Sequence, residues 1–256
     1  MLFFFGINYG SIKMDGGRFM YVVITGASGD LGRKIARKFA SSHYNLVLLY
    51  YKNDICEYGK TLASEFGINV FALACDITNE EDVKKLQEKI KKENIDVTCL
   101  VNNAGISCDS TLEEKTVCDF RGVLDVNLVG TFLVTKYIGS LIKQGSIINV
   151  SSNCGIDAGY VEGMDYNASK AGVISLTHDF AKIYAPRVRV NAVAPGWIET
   201  TKNKELLPNF KKEEMDKCLL GRFASPDEIA SVIFFLSSRD ASYINDSIIK
   251  VDGGLK

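Results

Sequence analysis

Seven short, nearly uninterrupted apolar and β-branched runs punctuate the chain, at residues 21–25, 46–51, 70–74, 97–101, 146–150, 188–193 and 247–251. Runs this short, without polar alternation, predict strands covered on both faces. Between them lie stretches with helical spacing at 31–42, 55–66, 80–92, 120–142, 165–184 and 226–236. The spacing is plainest in 80–92, where Val83, Leu86 and Ile90 form one stripe and Lys and Glu fill the other faces,. Strands alternating with helices predict an α/β protein with a single-domain Rossmann fold: a doubly wound, seven-stranded parallel sheet with helices on both faces and right-handed crossovers. The polar stretch 201–222, interrupted by Pro208, follows a strand end. Ligands of open α/β sheets bind beyond the carboxyl ends of the strands, so a substrate lid is expected over about 200–222.

Length and charge narrow the class. A chain of 256 residues buries one substantial core without a second domain,. Lys and Arg number 30 against 31 Asp and Glu, a net charge of -1, which favours small-molecule partners over nucleic acid or a membrane surface,. Cys56, Cys75, Cys99, Cys108, Cys118, Cys154 and Cys218 are odd in number, form no C-x-x-C pair and have two histidines for company. They fit the reduced thiols of a cytoplasmic protein, with no metal site and no disulfide framework. Residues 1–19 form an N-terminal extension ahead of a domain at 20–256. Its apolar patch is too short for a signal peptide or a membrane span. Two readings stand for it: an ordinary arm, or upstream message translated from a misplaced start, with Met20 as the natural first residue.

The candidate chemistry begins at "TGASGDLG", residues 25–32, directly after the first apolar run and before a helix-like stretch. Gly26, Gly29 and Gly32, with Ser28, Asp30 and Leu31 between them, have the strand–turn–helix setting of a dinucleotide loop, in which glycines allow a tight turn and a close backbone approach to pyrophosphate. Asp30 is expected to face outward and cap the helix, leaving the close approach to Gly29. About twenty residues on, where a carboxylate would hold the adenosine ribose of NAD, stand Tyr51 and Lys52. A cation without an acid favours NADP(H) over NAD(H).

A second cluster lies further along. Ser152 ends the fifth apolar run, and Tyr166 and Lys170 are four apart on the next helix, hence on one face,. A phenol works as a reversible acid only when its anion is stabilised, which an ammonium one turn away provides. Ser152 is placed to share the charge developing on a substrate oxygen.

Together with "VNNAGIS" (101–107), "DVNLVGTF" (125–132), "YNASK" (166–170), "VRVNAVAPGWIETT" (188–201) and "VDGG" (251–254), these motifs resemble the short-chain dehydrogenase/reductase family from Met20 to Leu255. The resemblance implies a catalytic tetrad of Asn127, Ser152, Tyr166 and Lys170, with Tyr166 as acid/base, Lys170 also on the nicotinamide ribose and Asn127 binding a relay water. It further implies adenine contacts from Asp76 and Ile77, an adenosine-side wall of Asn103, Ala104 and Gly105, and Pro195, Gly196, Ile198 and Thr200 around nicotinamide and pyrophosphate. Where the family pattern T-G-x-x-x-G-x-G has its middle glycine, this chain has Asp30, and the basic residue common in NADP users one position earlier is Gly29. Within the family, the C-terminal blocks are most similar to 3-oxoacyl-acyl carrier protein reductases of fatty acid synthesis. That likeness implies docking of acyl carrier protein through Lys143 and Arg187, and a homotetramer built on the long fourth and fifth helices. Sugar or polyol dehydrogenases share the other motifs and remain the alternative, with a catalytically silent dinucleotide-binding protein as a third reading.

Overall fold

The computed structural model describes residues 6–7, 20–157 and 159–255. Among the described residues eight strands form one sheet: β1 (Gly6–Ile7), β2 (Met20–Ile24), β3 (Asn45–Tyr50), β4 (Val70–Ala74), β5 (Asp96–Asn102), β6 (Gly145–Val150), β7 (Val188–Pro195) and β8 (Ile248–Val251). Their spatial order is β1-β4-β3-β2-β5-β6-β7-β8, and β2 to β8 are parallel throughout. This is the doubly wound Rossmann arrangement. The strand order reverses at β2, so the crevice opens beyond the carboxyl ends of β2 and β5.

The seven parallel strands β2 to β8 are those expected, and β1 adds a short antiparallel strand at the edge. Gly6–Ile7 pairs antiparallel with Val70 and Phe71 on β4. The edge of β4 offers unpaired backbone groups to any extended segment, and two residues carry no alternation for a sequence pattern to detect. The remaining expectations for residues 1–19 lie outside the described residues.

Two apolar layers sandwich the sheet. One joins α1 (Asp30–Ala40), α2 (Cys56–Phe66) and α9 (Pro226–Ser237) to one face, through Ile35, Phe39, Leu62 and Ile233. The other joins α3 (Glu80–Lys92), α5 (Gly130–Tyr137) and α6 (Met164–Tyr184) to the opposite face, through Val83, Leu86, Val134 and Phe180. Helix starts follow local chemistry. Asn79 accepts the amides of Glu81 and Asp82 ahead of α3, and Ser225 forms a capping box with Glu228 ahead of α9,. A buried chain of amides and hydroxyls ties β5 and β6 to the helices beside them. Asn102 Nδ2 donates to Thr135 Oγ1 and Asn149 Oδ1, both at 2.8 Å, and Asn149 Nδ2 donates to Thr177 Oγ1 at 2.9 Å. These bonds link α5 and α6 to β5 and β6, although the buried Asn102 Oδ1 accepts no hydrogen bond,.

The helix expected over 120–142 is divided. α4 (Val117–Leu124) passes into a π-helical turn at Asp125–Val129, then into α5 and a 3-10 turn at Gly139–Leu141. The widened turn contains Asn127, and Thr131 Oγ1 donates to the Asn127 carbonyl at 2.8 Å,. Apolar spacing does not register a single-residue change in the hydrogen-bond ladder, and such turns mark functional sites. Segment 200–222 holds α7 (Thr201–Lys204) and α8 (Pro208–Lys217). No helix among the described residues is long and apolar enough to cross a membrane.

Candidate active site

The chain leaves β2 through Thr25 and turns at Gly26, whose φ of +62° suits glycine and few other residues,. A Cβ on Gly26 would lie 2.7 Å from Ala104 Cα, and one on Gly32 would lie 2.2 Å from the Gly26 oxygen and 2.8 Å from Ala27 Cα. Backbone therefore closes both positions to any side chain and holds the turn tight against the first turn of α1, a helix amino end that suits a dinucleotide phosphate,. Asn103 braces the loop. Its side chain donates to the carbonyls of Thr25 (3.0 Å) and Gly26 (3.1 Å), while the amides of Asn103 and Ala104 donate to the Thr25 hydroxyl, each at 3.0 Å. Arg33 Nε holds the Ser28 carbonyl at 3.1 Å.

One expectation for this loop is corrected. Gly29, not Asp30, is the residue before the first helical turn of α1, and no side chain caps that helix. Asp30 already stands inside the helix, and its Oδ2 instead accepts the amide of Thr201 at 2.5 Å, linking the loop to the start of α7. Within the chain the tight packing is at Gly26 and Gly32, and Gly29, expected to approach the pyrophosphate, is left open on the surface. A Cβ on the exposed Gly29 would meet only the Gly26 oxygen, at an ordinary 3.6 Å.

The other predicted cofactor residues lie at the carboxyl ends of the strands. Tyr51 and Lys52 follow β3, both exposed, with Lys52 Nζ 5.3 Å from the Tyr51 ring centroid. After β4, Asp76 Oδ1 accepts the amide (3.0 Å) and hydroxyl (2.7 Å) of Thr78, and Ile77 is buried. Pro195 ends β7, the Gly196 amide donates to Val251 (3.2 Å), Ile198 bridges to Ala224, and the Thr200 hydroxyl accepts the Asn203 amide (3.3 Å) at the start of α7.

Ser152, Tyr166, Lys170 and Asn127 converge. β6 delivers Ser152 to the sheet edge, and α6 begins two residues before Tyr166. That start is anchored: Asp165 Oδ1 accepts the Tyr166 amide at 2.8 Å, and Asp165 Oδ2 pairs with Lys115 at 2.9 Å, with both side chains buried. Lys170 Nζ donates to the Val150 carbonyl at 2.8 Å and lies 5.5 Å from the Tyr166 ring centroid. Asn127 uses its whole amide: Oδ1 accepts Ile106 N (2.8 Å), while Nδ2 donates to Ile106 O (2.9 Å) and Ser169 Oγ (3.0 Å). A Cβ on Gly105 would lie 3.3 Å from both Asn127 Oδ1 and Lys170 Nζ, which places the two side chains side by side. Burial pushes the Tyr166 phenol up to about 12, against a hydrogen bond with Ser152 that lowers it, and burial brings the Lys170 ammonium down to about 8,. At neutral pH the phenol thus keeps its proton and the lysine its charge.

Ser152, Tyr166 and Lys170 line a cleft of about 1000 Å³, with Asn127 buried behind it. Its far side is built from residues that sequence reasoning missed: Tyr160, Trp197, Phe210 and Glu214. The lone tryptophan after Pro195-Gly196 was the available signal, but nothing in the spacing joins it to Tyr160 or Glu214. Burial alone would raise the Glu214 carboxyl; hydrogen bonds from Lys217, Tyr160 and Trp197 outweigh it and hold the group below the usual carboxylate range.

Comparison with known proteins agrees with this geometry. The family model described as "Enoyl-(Acyl carrier protein) reductase" matches residues 26–256. The 3-oxoacyl-[acyl-carrier-protein] reductase FabG of Aquifex aeolicus is 38% identical over 238 residues, covering 91% of this chain and 96% of its own. That of Thermotoga maritima is 37% identical over 237 residues, with the same coverage. The chain belongs to the short-chain dehydrogenase/reductase family. It is an NAD(P)-dependent oxidoreductase. Among solved structures, a short-chain dehydrogenase/reductase (glucose/ribitol dehydrogenase) from Brucella melitensis superposes with a TM-score of 0.85 at 32% identity, over 93% of this chain and 96% of that one. L-sorbose reductase from Gluconobacter frateurii, complexed with NADPH and L-sorbose, gives 0.85 at 26% identity, over 92% and 95%.

Lys143 and Arg187, the two cations expected to dock a carrier, do not line the cleft. Lys143 precedes β6 and Arg187 precedes β7, so both lie at the amino ends of parallel strands, whereas Ser152 and Pro195 mark the carboxyl ends. A parallel sheet separates its two ends by the length of its strands.

Proposed function

We propose that this reductase converts a 3-oxoacyl thioester, carried on acyl carrier protein, to the 3-hydroxyacyl form with NADPH. The observation that carries the reading is the Ser152–Tyr166–Lys170 cluster at the cleft, in a chain 38% identical to a 3-oxoacyl-[acyl-carrier-protein] reductase. The aromatic far side, with Tyr160, Trp197 and Phe210, suits an acyl chain better than a polyhydroxylated one. A second reading, a sugar or polyol dehydrogenase, is favoured by the structural likeness to L-sorbose reductase. When bound, the nicotinamide supplies the hydride. Tyr166 donates the proton to the carbonyl oxygen, Ser152 hydrogen-bonds that oxygen, and Lys170 stabilises the phenolate left behind and holds the nicotinamide ribose. Asn127, its side chain committed to Ile106 and Ser169, holds the wall around Lys170 and binds a relay water. Gly26 to Gly32 hold the pyrophosphate, Lys52 pairs with a 2'-phosphate, and residues 200–222 act as the lid. Exposed Val117, Val129, Phe132 and Ile183 support a homotetramer,, and the chain works in the cytoplasm.

Two outcomes are expected. With an acetoacetyl thioester, the enzyme oxidises NADPH in preference to NADH, and Lys52→Glu raises the KM for NADPH about tenfold or more while leaving that for NADH within about twofold. Turnover of sugars without turnover of the thioester would establish the second reading. The rate of reduction should also fall as pH rises above about 8. There Lys170 discharges, and the phenolate formed by proton donation loses its counter-charge well before Tyr166 itself titrates,. A profile of kcat flat from pH 6 to 10 removes Lys170 from that role.

A further inference from the structure

Helix α8 is polar and lies on the surface, and its one buried residue is Glu214, 2% exposed. A carboxylate so deeply placed costs several kcal/mol unless its oxygens are occupied. Here they accept from three donors on two other segments and on α8 itself: the Tyr160 hydroxyl, Trp197 Nε1 at 3.0 Å and Lys217 Nζ at 2.6 Å. Trp197 Nε1 also reaches the Tyr160 oxygen at 3.1 Å, closing a triangle. Around it the rings interlock. Tyr160 lies 5.7 Å from Trp197 and 6.1 Å from Phe210, while Trp197 meets Phe210 edge-on at 5.9 Å and stacks on Phe223 at 5.4 Å. Three stretches distant in sequence therefore meet at one carboxylate: the loop after Ser152, the turn after β7, and α8. Tyr160, Trp197, Phe210 and Glu214 all border the cleft that holds Ser152 and Tyr166.

We propose that Glu214 is a specificity-determining residue: it clasps α8 to Tyr160 and Trp197 across the far side of the cleft, and so limits the length of the acyl chain accepted at the Ser152–Tyr166 centre. This deepens the thioester reading and rests on it for the word acyl. The clasp itself is a statement about α8 and Trp197. With little apolar area of its own to bury, α8 keeps its place through this carboxylate, the ring of Phe210 and the Lys211–Glu199 pair at 2.8 Å. Short acyl groups fit beneath the closed wall, and longer ones need the wall displaced. Pocket walls of this kind discriminate about 10- to 200-fold per methylene at most, which bounds the effect.

Trp197 is the single tryptophan, so its fluorescence reports the clasp directly. In Glu214→Ala, Trp197 emission should shift to the red, acrylamide quenching should rise, and amide exchange over 208–217 should accelerate. On acetoacetyl and 3-oxooctanoyl N-acetylcysteamine thioesters, the ratio of kcat/KM for the longer to the shorter substrate should rise about tenfold. The loosened wall should raise KM for the acetoacetyl compound while leaving kcat within about threefold. Tyr160→Phe removes one donor without an unpaired carboxylate and should move every readout in the same direction by less, so a poorly folding Glu214→Ala does not decide the matter. A length ratio unchanged in both variants while Trp197 is freed overturns the specificity role. Unchanged fluorescence and exchange overturn the clasp. If the native enzyme turns over no thioester, the proposed function fails, and the clasp stands or falls on fluorescence and exchange alone.

Discussion

Replacing Tyr166 with Phe should lower kcat for carbonyl reduction by about 10²- to 10⁴-fold, the range expected for losing a general acid, while leaving NADPH affinity within about threefold. The substitution removes one hydroxyl and keeps the ring. Lys170 retains its bond to the Val150 carbonyl, and the Asp165–Lys115 pair that anchors the start of α6 is untouched. The glycine turn is bordered by Ala104 and Asn103, not by Tyr166. What disappears is the group that burial keeps protonated at neutral pH and that Ser152 orients. Residual turnover then measures positioning of carbonyl and hydride donor alone. Steady-state NADPH oxidation gives kcat, and quenching of Trp197 fluorescence gives the cofactor Kd. A variant with native kcat would place the acid elsewhere in the cleft.

The second large effect is expected at Gly32, where two contributions oppose each other. Inside a helix, Gly→Ala ordinarily stabilises by about 1 kcal/mol. Gly122 in α4 is such a case: a Cβ there meets nothing within 4 Å, and Gly122→Ala should raise stability slightly. At Gly32 the added carbon would stand 2.2 Å from the Gly26 oxygen and 2.8 Å from Ala27 Cα, both backbone atoms that no rotamer change can move aside. Overpacking of this kind costs about 1–3 kcal/mol, enough to reverse the propensity gain. The strain falls on the turn proposed to receive the pyrophosphate. Gly32→Ala should therefore lower Tm by a few degrees, at about 2–4 °C per kcal/mol for a chain near this size, and weaken NADPH binding more than tenfold. Thermal unfolding and cofactor titration on the Gly32 and Gly122 variants check both signs. A Gly32→Ala protein as stable as the Gly122 variant, with native affinity, would show that α1 does not rest on the loop.

Much of this was legible in the chain itself. A buried parallel strand needs apolar residues on both faces, so β2 to β7 announce themselves within one or two residues of their ends,. Tyr166 and Lys170 share a face because any α-helix places residues four apart together. Gly26 and Gly32 mark a turn because backbone sterics there are local. These are short-range consequences of covalent geometry and of apolar periodicity.

Other features depend on which segments meet. The turn at Asn127 widens where Ile106 and Ser169 take the whole Asn127 amide, partners 21 and 42 residues away. Asp30, a helix cap by its local sequence, finds a better donor in an amide 171 residues distant. Glu214 looks like one more surface acid on a polar helix until packing buries it, and only the sheet's direction puts Lys143 and Arg187 at the amino ends of β6 and β7. The sequence by itself thus determined the elements, the glycine loop and the Ser–Tyr–Lys chemistry, because periodicity and i,i+4 geometry act within a few residues. Only the tertiary structure decided where Asp30 points, how the helix around Asn127 bends and what closes the far side of the cleft. A hydrogen bond between remote segments carries no sequence period, and it exists only after the packing has brought donor and acceptor together.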